Sequence, residues 1–422
     1  MISNSNRNYA ISAETPADQN CFVGFHDINP WSPDGQCLAI HRADPEYYQM
    51  GDCGKPIEIC LWYPQSGDIK PIETTTGWNF QQGSRLQWLP GRADTLIFNT
   101  VQNGRAISVI RNVSKEESTL LPAAIYSISP DGKTSVAPSF VTLAHRWKAY
   151  GYPPLEHMTD EGRNAEDGLW ELDLSTGMHK LFISTQRAAE FEAIPNADPA
   201  SHFLAHASFS PDGSRVVFLH RFFSADGGLF TRMIVTDRKA KDLVLLAQEK
   251  VSHFDWIDND TLLVWARFTG GGLAKARAKG LLGSPWIKPA LRIVRSMTGS
   301  WKRKLLAESY YKIPIGDPKA KTRFGWPALH SDGHPMVARS HPWIVTDFYP
   351  DKSSCLPLIL YHPERAERKD VHVFQHRPRS NDSDVKCDLH PRWNRNERQV
   401  SVDTCESGLR QVRILDVSDI VR

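Results

Sequence analysis

Ala205-His206-Ala207-Ser208-Phe209-Ser210-Pro211-Asp212-Gly213-Ser214-Arg215-Val216-Val217-Phe218 decides how this chain is read. A short strand leads into a Ser-Pro-Asp-Gly turn, and a second strand leads out. Proline presets φ at the second turn position, aspartate bonds its own backbone, and glycine accepts a positive φ. Ser32-Pro33-Asp34-Gly35 and Ser129-Pro130-Asp131-Gly132 write the same turn again. Recurrence at wide spacing marks a repeat architecture.

Degraded copies fill the gaps between the intact ones. Arg85-Leu86-Gln87-Trp88-Leu89-Pro90-Gly91 precedes Thr95-Leu96-Ile97-Phe98, and His253-Phe254-Asp255-Trp256 leads to Leu262-Leu263-Val264-Trp265. His334-Pro335-Met336-Val337 leads to Trp343-Ile344-Val345-Thr346, and His390-Pro391-Arg392-Trp393 to Val400-Ser401-Val402. Several copies continue into a third and fourth strand, as in Leu169–Leu174 and His179–Phe182. Four short strands per unit predict the blades of a β-propeller. The chain is therefore expected to be all-β: a single seven-bladed ring over residues 1–422, with blades starting near 24, 78, 123, 202, 250, 322 and 385. Packed sandwiches, or rings of six or eight blades, are the rival architectures. The last blade lacks a fourth strand, and residues before about 23 are expected to supply it and hide an open sheet edge.

Two insertions break the rhythm, at 140–166 and at 268–312. The second, in blade 5, opens on Gly270-Gly271-Gly272 and becomes basic and partly helical, with Lys275, Arg277 and Lys279 among apolar residues such as Leu281, Leu282 and Trp286. It reads either as a lid on the propeller rim or as a cationic amphipathic stretch (273–310) making peripheral membrane contact.

Composition narrows the function classes. The 422 residues carry 50 Lys and Arg against 48 Asp and Glu, a formal charge of +2, which makes no case for nucleic acid. No apolar run approaches the ~18 residues of a membrane span, and residues 1–20 have no signal-peptide core. Seven scattered cysteines predict free thiols and a cytoplasmic protein.

Aligning the copies on the turn exposes a second regularity. Four residues before the turn stand His206, His253, His334 and His390 in blades 4 to 7, Arg85 in blade 2 and Ile125 in blade 3. Blade 1 has Ile28 there, with His26 two residues earlier. The first strand of a blade lines the central channel, so equivalent positions converge on one level of it. Imidazoles meeting there either bind a metal or move protons, or else line the channel as bonded polar groups. His206 and His253, with Arg85 and Tyr150, are the expected catalytic groups. His334, His390, His253 and Cys387 are the expected ligands of a divalent metal, zinc or manganese. Cys387 also reads as a small buried hydrophobe. Arg85, Arg221, Arg267 and Arg392 are candidates to hold a carboxylate, or to bridge blades. Tyr152, His145, Arg146 and Tyr349 are further polar groups near the expected mouth.

The Ser-Pro-Asp-Gly and His-Pro blades resemble TolB/WD40-like propeller repeats along nearly the whole chain. The histidine-lined arrangement also resembles the propeller polysaccharide lyases of the oligogalacturonate and ulvan lyase type. In the oligogalacturonate lyases a late blade carries Gln-x-x-His-x-His, joined by a histidine from an earlier blade. The comparable run here is Cys387-Asp388-Leu389-His390-Pro391-Arg392. His390 matches, Cys387 stands for the glutamine and Arg392 for the last histidine, and His334 or His253 matches the earlier one. The resemblance implies β-elimination on a uronic-acid oligosaccharide. The other reading is a non-catalytic propeller that binds a protein or glycan partner.

Overall fold

The computed structural model describes residues 9–153, 165–194, 197–223, 228–268 and 307–422. It shows a seven-bladed β-propeller: seven antiparallel four-stranded sheets. The innermost strands are Asn20–Phe22, Gln87–Trp88, Ser127–Ile128, Phe203–Phe209, Val251–Trp256, Met336–Val337 and Arg392–Trp393. The last sheet is completed by Ile11–Glu14 paired with Gln411–Asp416, so the chain's beginning closes the ring against its end.

The three intact turns are alike down to their hydrogen bonds. Ser210 Oγ donates to Asp212 Oδ1 (2.6 Å) and accepts from Arg215 N (3.0 Å). Ser32–Asp34 and Ser129–Asp131 repeat the first bond, and Cys37 N and Thr134 N repeat the second. The closing glycines have φ of 73°, 69° and 72°. In blade 7 Glu397 takes this place at φ 56°. Its carboxylate accepts from Arg339 N and Ser340 N of blade 6, a tether that glycine would lack.

Each blade packs face to face on the next through a buried apolar cluster. Val217, Leu219 and Val235 of blade 4 meet Val251, Trp256 and Leu262 of blade 5. Cys21, Leu38 and Ile40 of blade 1 meet Val412 and Ile414 of blade 7, which seals the ring. Each such side chain contributes about 1.5–3 kcal/mol when fully buried.

Some expected boundaries shift. Thr322–Phe324 pairs with Glu308–Pro314 as the outer strand of blade 5, so blade 6 begins at Met336, not near 322. Residues 308–312 likewise belong to that third strand and not to the basic insertion. Of the insertion proper, 269–306 lie outside the described residues, and with them the expected 273–310 membrane contact. The earlier insertion forms a helix, Phe140–Arg146, with Ser139 Oγ accepting from Thr142 N at its start. The turn Lys148–Tyr150 follows it. Among the described residues no helix is long and apolar enough to cross a membrane.

Candidate functional site

The aligned position is locally strained. Arg85, His206 and His390 have φ of 58°, 49° and 43°, in the left-handed region. At His206 the pairing with the next strand slips between Ala205 and Ser208, and at His253 between Val251 and Phe254. A bulge re-aims a side chain out of the ladder's alternation, and here it releases the histidines towards the axis. Left-handed backbone costs a non-glycine residue roughly 1–3 kcal/mol, a cost that concentrates at functional sites.

The histidines do meet, around a phenylalanine. Blade 1 leaves its inner strand at Gly24 (φ 119°), and Phe25 and His26 enter the channel. The Phe25 ring stacks on His206 (5.3 Å, 18°) and lies 5.2, 6.3 and 6.4 Å from His390, His253 and His334. The His334 ring is 4.2 Å from His253 and 4.4 Å from His390. His26 joins them at 5.4 Å from His334. Burial, reinforced by neighbouring positive groups, holds His26, His206, His334 and His390 well below the usual imidazole range. They are neutral at pH 7.

Among the described residues, His334, Asp388 and His390 form a set whose ligand atoms all lie within 4.8 Å of one another. His334 Nδ1 donates to Asp347 (2.9 Å) and His390 Nδ1 donates to the Gly24 carbonyl (2.7 Å). Acceptors at Nδ1 fix the tautomer that leaves a lone pair on each Nε2, the usual arrangement behind a metal-bound histidine. His390 Nε2 and Asp388 Oδ1 are buried without a hydrogen-bond partner. Such orphans are costly unless something else satisfies them. Two imidazole nitrogens and a carboxylate oxygen suit a divalent transition metal such as manganese or zinc. Lys386 Nζ holds the other Asp388 oxygen at 2.9 Å.

Cys387 is not in this set. Its thiol is free and buried, with the free thiol of Cys405 beside it. The carboxylate one residue later takes the ligand position expected of Cys387. Asp388 was legible as an Asp-x-His pair, because residues two apart in extended chain share a side. His253 faces Asp332 instead: its Nδ1 lies 3.1 Å from Asp332 Oδ1 and 3.0 Å from Ser252 Oγ.

On the upper face, away from the turns, His206 and His253 line a cavity of about 570 Å³ together with Trp147, Tyr150, Arg221, Tyr349 and Lys386 among others, and His334, Asp388 and His390 are not among its lining residues. Tyr150 stands 5.1 Å from the His206 ring. Tyr349 borders Lys386 (4.1 Å). Tyr152 is instead a core residue, stacked on Phe140 at 4.1 Å, with its hydroxyl bonded to Asn99. His145 is exposed, and Arg146 donates to the Ala200 carbonyl. A second cavity, about 600 Å³, opens on the turn side, and the Phe25–Asp27 segment lies between the two.

The four arginines separate by their partners. Arg85 makes a bidentate pair with Asp27 (2.9 and 2.8 Å) and lines the turn-side cavity, apart from the cavity that His206, His253 and Tyr150 line. Arg267 pairs with Glu308, and Arg392 with Asp403. Arg221 is 6% exposed and pairs with no carboxylate among the described residues. Its guanidinium lies 3.9 Å over the Trp147 ring, its Nε has no acceptor, and burial pulls it down to about 10.

No protein-family model and no curated protein matches this chain. Solved structures do. An oligogalacturonate lyase in complex with manganese superposes with a TM-score of 0.62 at 14% identity, over 97% of this chain and 94% of that one. The oligogalacturonate lyase of Vibrio parahaemolyticus gives 0.62 at 13%, over 100% and 96%. TolB of Acinetobacter baumannii gives 0.39 at 12%, over 85% and 76%. At these identities the likeness is one of fold.

Proposed function

We propose that the upper cavity binds an acidic oligosaccharide by a uronate carboxylate and cleaves it by β-elimination, with a divalent cation held by His334, Asp388 and His390. The observation that carries this reading is Arg221. A buried guanidinium that faces a cavity, and has no carboxylate partner among the described residues, lacks the anion that would offset its desolvation, and a carboxylate is a partner its fork fits.

The chain's own groups supply the rest. Arg221 holds and orients the carboxylate. Asp332, accepting from Nδ1–H, turns the His253 Nε2 lone pair towards the cavity, where it takes the proton at C5. The C5–H electron pair becomes the new C4–C5 double bond as the C4–O bond breaks. The Tyr150 hydroxyl protonates the departing oxygen and regains its proton from His253 through water. A bound divalent cation would supply charge stabilisation to the carboxylate as the C5 proton leaves. His206, stacked on Phe25, closes the cavity wall opposite.

The test is incubation of the protein with uronic-acid oligosaccharides and manganese or zinc, followed by ultraviolet absorbance of the unsaturated uronate. New absorbance from wild type and none from His253→Ala supports the reading. No absorbance from galacturonate, glucuronate or iduronate oligomers with either metal overturns it.

A further inference from the structure

The lyase-like run ends on Arg392 where the family pattern has a third histidine, and the structure gives this arginine a different job. Arg392 is fully buried. Its Nε donates to the Phe25 carbonyl (3.1 Å), and one terminal nitrogen donates both to the Gly24 carbonyl and to Asp403 Oδ2 (3.1 Å). Asp403 in turn accepts from Val23 N (2.9 Å) and Gly24 N (3.2 Å). The ion pair therefore grips both faces of the Val23–Phe25 backbone. The Gly24 carbonyl also accepts His390 Nδ1–H. A carbonyl oxygen has two lone pairs, and these two donors use both.

Gly24 has little freedom within this grip. At φ 119° an added Cβ would stand 2.8 Å from the Gln82 carbonyl oxygen. The carbonyl that orients His390 is thus held by Arg392, while Asp403 holds the Gly24 N–H and the Gln82 backbone leaves no room for a side chain at Gly24.

We propose that Arg392 and Asp403 are positioning residues of the metal centre, acting on His390 through the Gly24 carbonyl. Arg392 thereby replaces a third histidine ligand with a fixed orientation for the second, while Asp388 supplies the donor. The proposal rests on the metal reading above. Partners of this kind set ring orientation and tautomer, and their loss typically costs about 10–100-fold in metal affinity.

The experiment is calorimetric titration of manganese chloride and zinc chloride into chelator-treated protein. Wild type is compared with Arg392→Gln, with Asp403→Asn as the milder second variant, and with Arg368→Gln, which breaks an ion pair with Asp370 on the outer strand of blade 6 and leaves the Gly24 carbonyl in place. Long-range proton–nitrogen spectra of labelled histidine report the His390 tautomer without metal or substrate. The expected result is about 10–100-fold weaker metal binding in Arg392→Gln and Asp403→Asn, loss of the fixed His390 Nδ1–H signal in both, and near wild-type affinity in Arg368→Gln. Unchanged affinity and tautomer in a folded Arg392→Gln or Asp403→Asn protein overturns the positioning role and leaves the metal reading standing. Wild type that binds neither metal overturns both. Metal binding without elimination overturns the lyase reading alone.

Discussion

Arg221 lies over Trp147, its guanidinium carbon 3.9 Å from the ring centroid, with no carboxylate beside it among the described residues. The indole face fixes the plane of the fork and leaves its edge for a planar anion. Replacing it by methionine keeps the volume and removes the fork. Hydrogen bonds to a charged group are worth about 1.5–3 kcal/mol, so Arg221→Met should weaken binding of a uronate oligosaccharide by roughly 10–100-fold, read by calorimetry. Arg221→Lys should recover only part of this, since an ammonium cannot make the bidentate contact. Equal binding by wild type and Arg221→Met would count against the carboxylate role.

Asp388 and Cys387 are neighbours in sequence with opposite environments, which separates two ligand sets. A ligand at about 100 times its dissociation constant stabilises the folded state by about 2.7 kcal/mol. Manganese or zinc should therefore raise the melting temperature of wild type and of Cys387→Ser. The rise should vanish in Asp388→Ala and His390→Ala. A thermal shift lost in Cys387→Ser but kept in Asp388→Ala would reverse the assignment.

Acid should destabilise the ring. His41 is fully buried; its Nδ1 donates to the Phe22 carbonyl and its Nε2 accepts from Ser84 N (3.1 Å). Burial pulls it down to about 4, and His202 likewise. The unfolded chain takes up these protons near pH 6.5 and the folded chain only near 4. Their contribution is therefore full above 6.5 and declines as pH falls to 4, about 3 kcal/mol for His41 alone. Burial raises Asp347 to about 7, and it works in the opposite sense, losing stability as pH rises through 7. Denaturation midpoints between pH 7 and 4 should fall less steeply in His41→Gln than in wild type. Parallel curves would exclude His41 as the titrating group.

Ring closure rests on one short strand. Ile11, Ala13 and Glu14 face Leu415, Ile414 and Arg413. Removing residues 1–14 leaves Gln411–Asp416 as an open edge, a template for another chain. The truncated protein should melt earlier and associate with rising concentration, as seen by light scattering. A monomer of unchanged melting temperature would show that the closure is dispensable.

The repeat was legible because its turn is chemical: a serine, a proline, an aspartate and a glycine each have one thing to do. Where Glu397 stands for glycine, the pattern survived through its flanking strands. Thr322–Phe324 misled because an outer strand and an inner strand share the same composition, and only pairing tells them apart. The aligned histidines were readable from spacing, but their division into His334 and His390 with Asp388, and His253 with Asp332, was not. Nor was the choice among the arginines. Arg85 finds Asp27 58 positions away and Arg267 finds Glu308 41 positions away. Arg221 is distinguished by the lack of a carboxylate partner among the described residues, which no sequence displays.

Phe25 makes this ring a cup rather than a pipe. His26 and Asp27 line the cavities on both sides, so the segment that carries Phe25 stands between the two mouths. A guest of the kind proposed above would then come and go by the same door, presenting an end rather than a middle. That geometry favours short chains taken one terminus at a time.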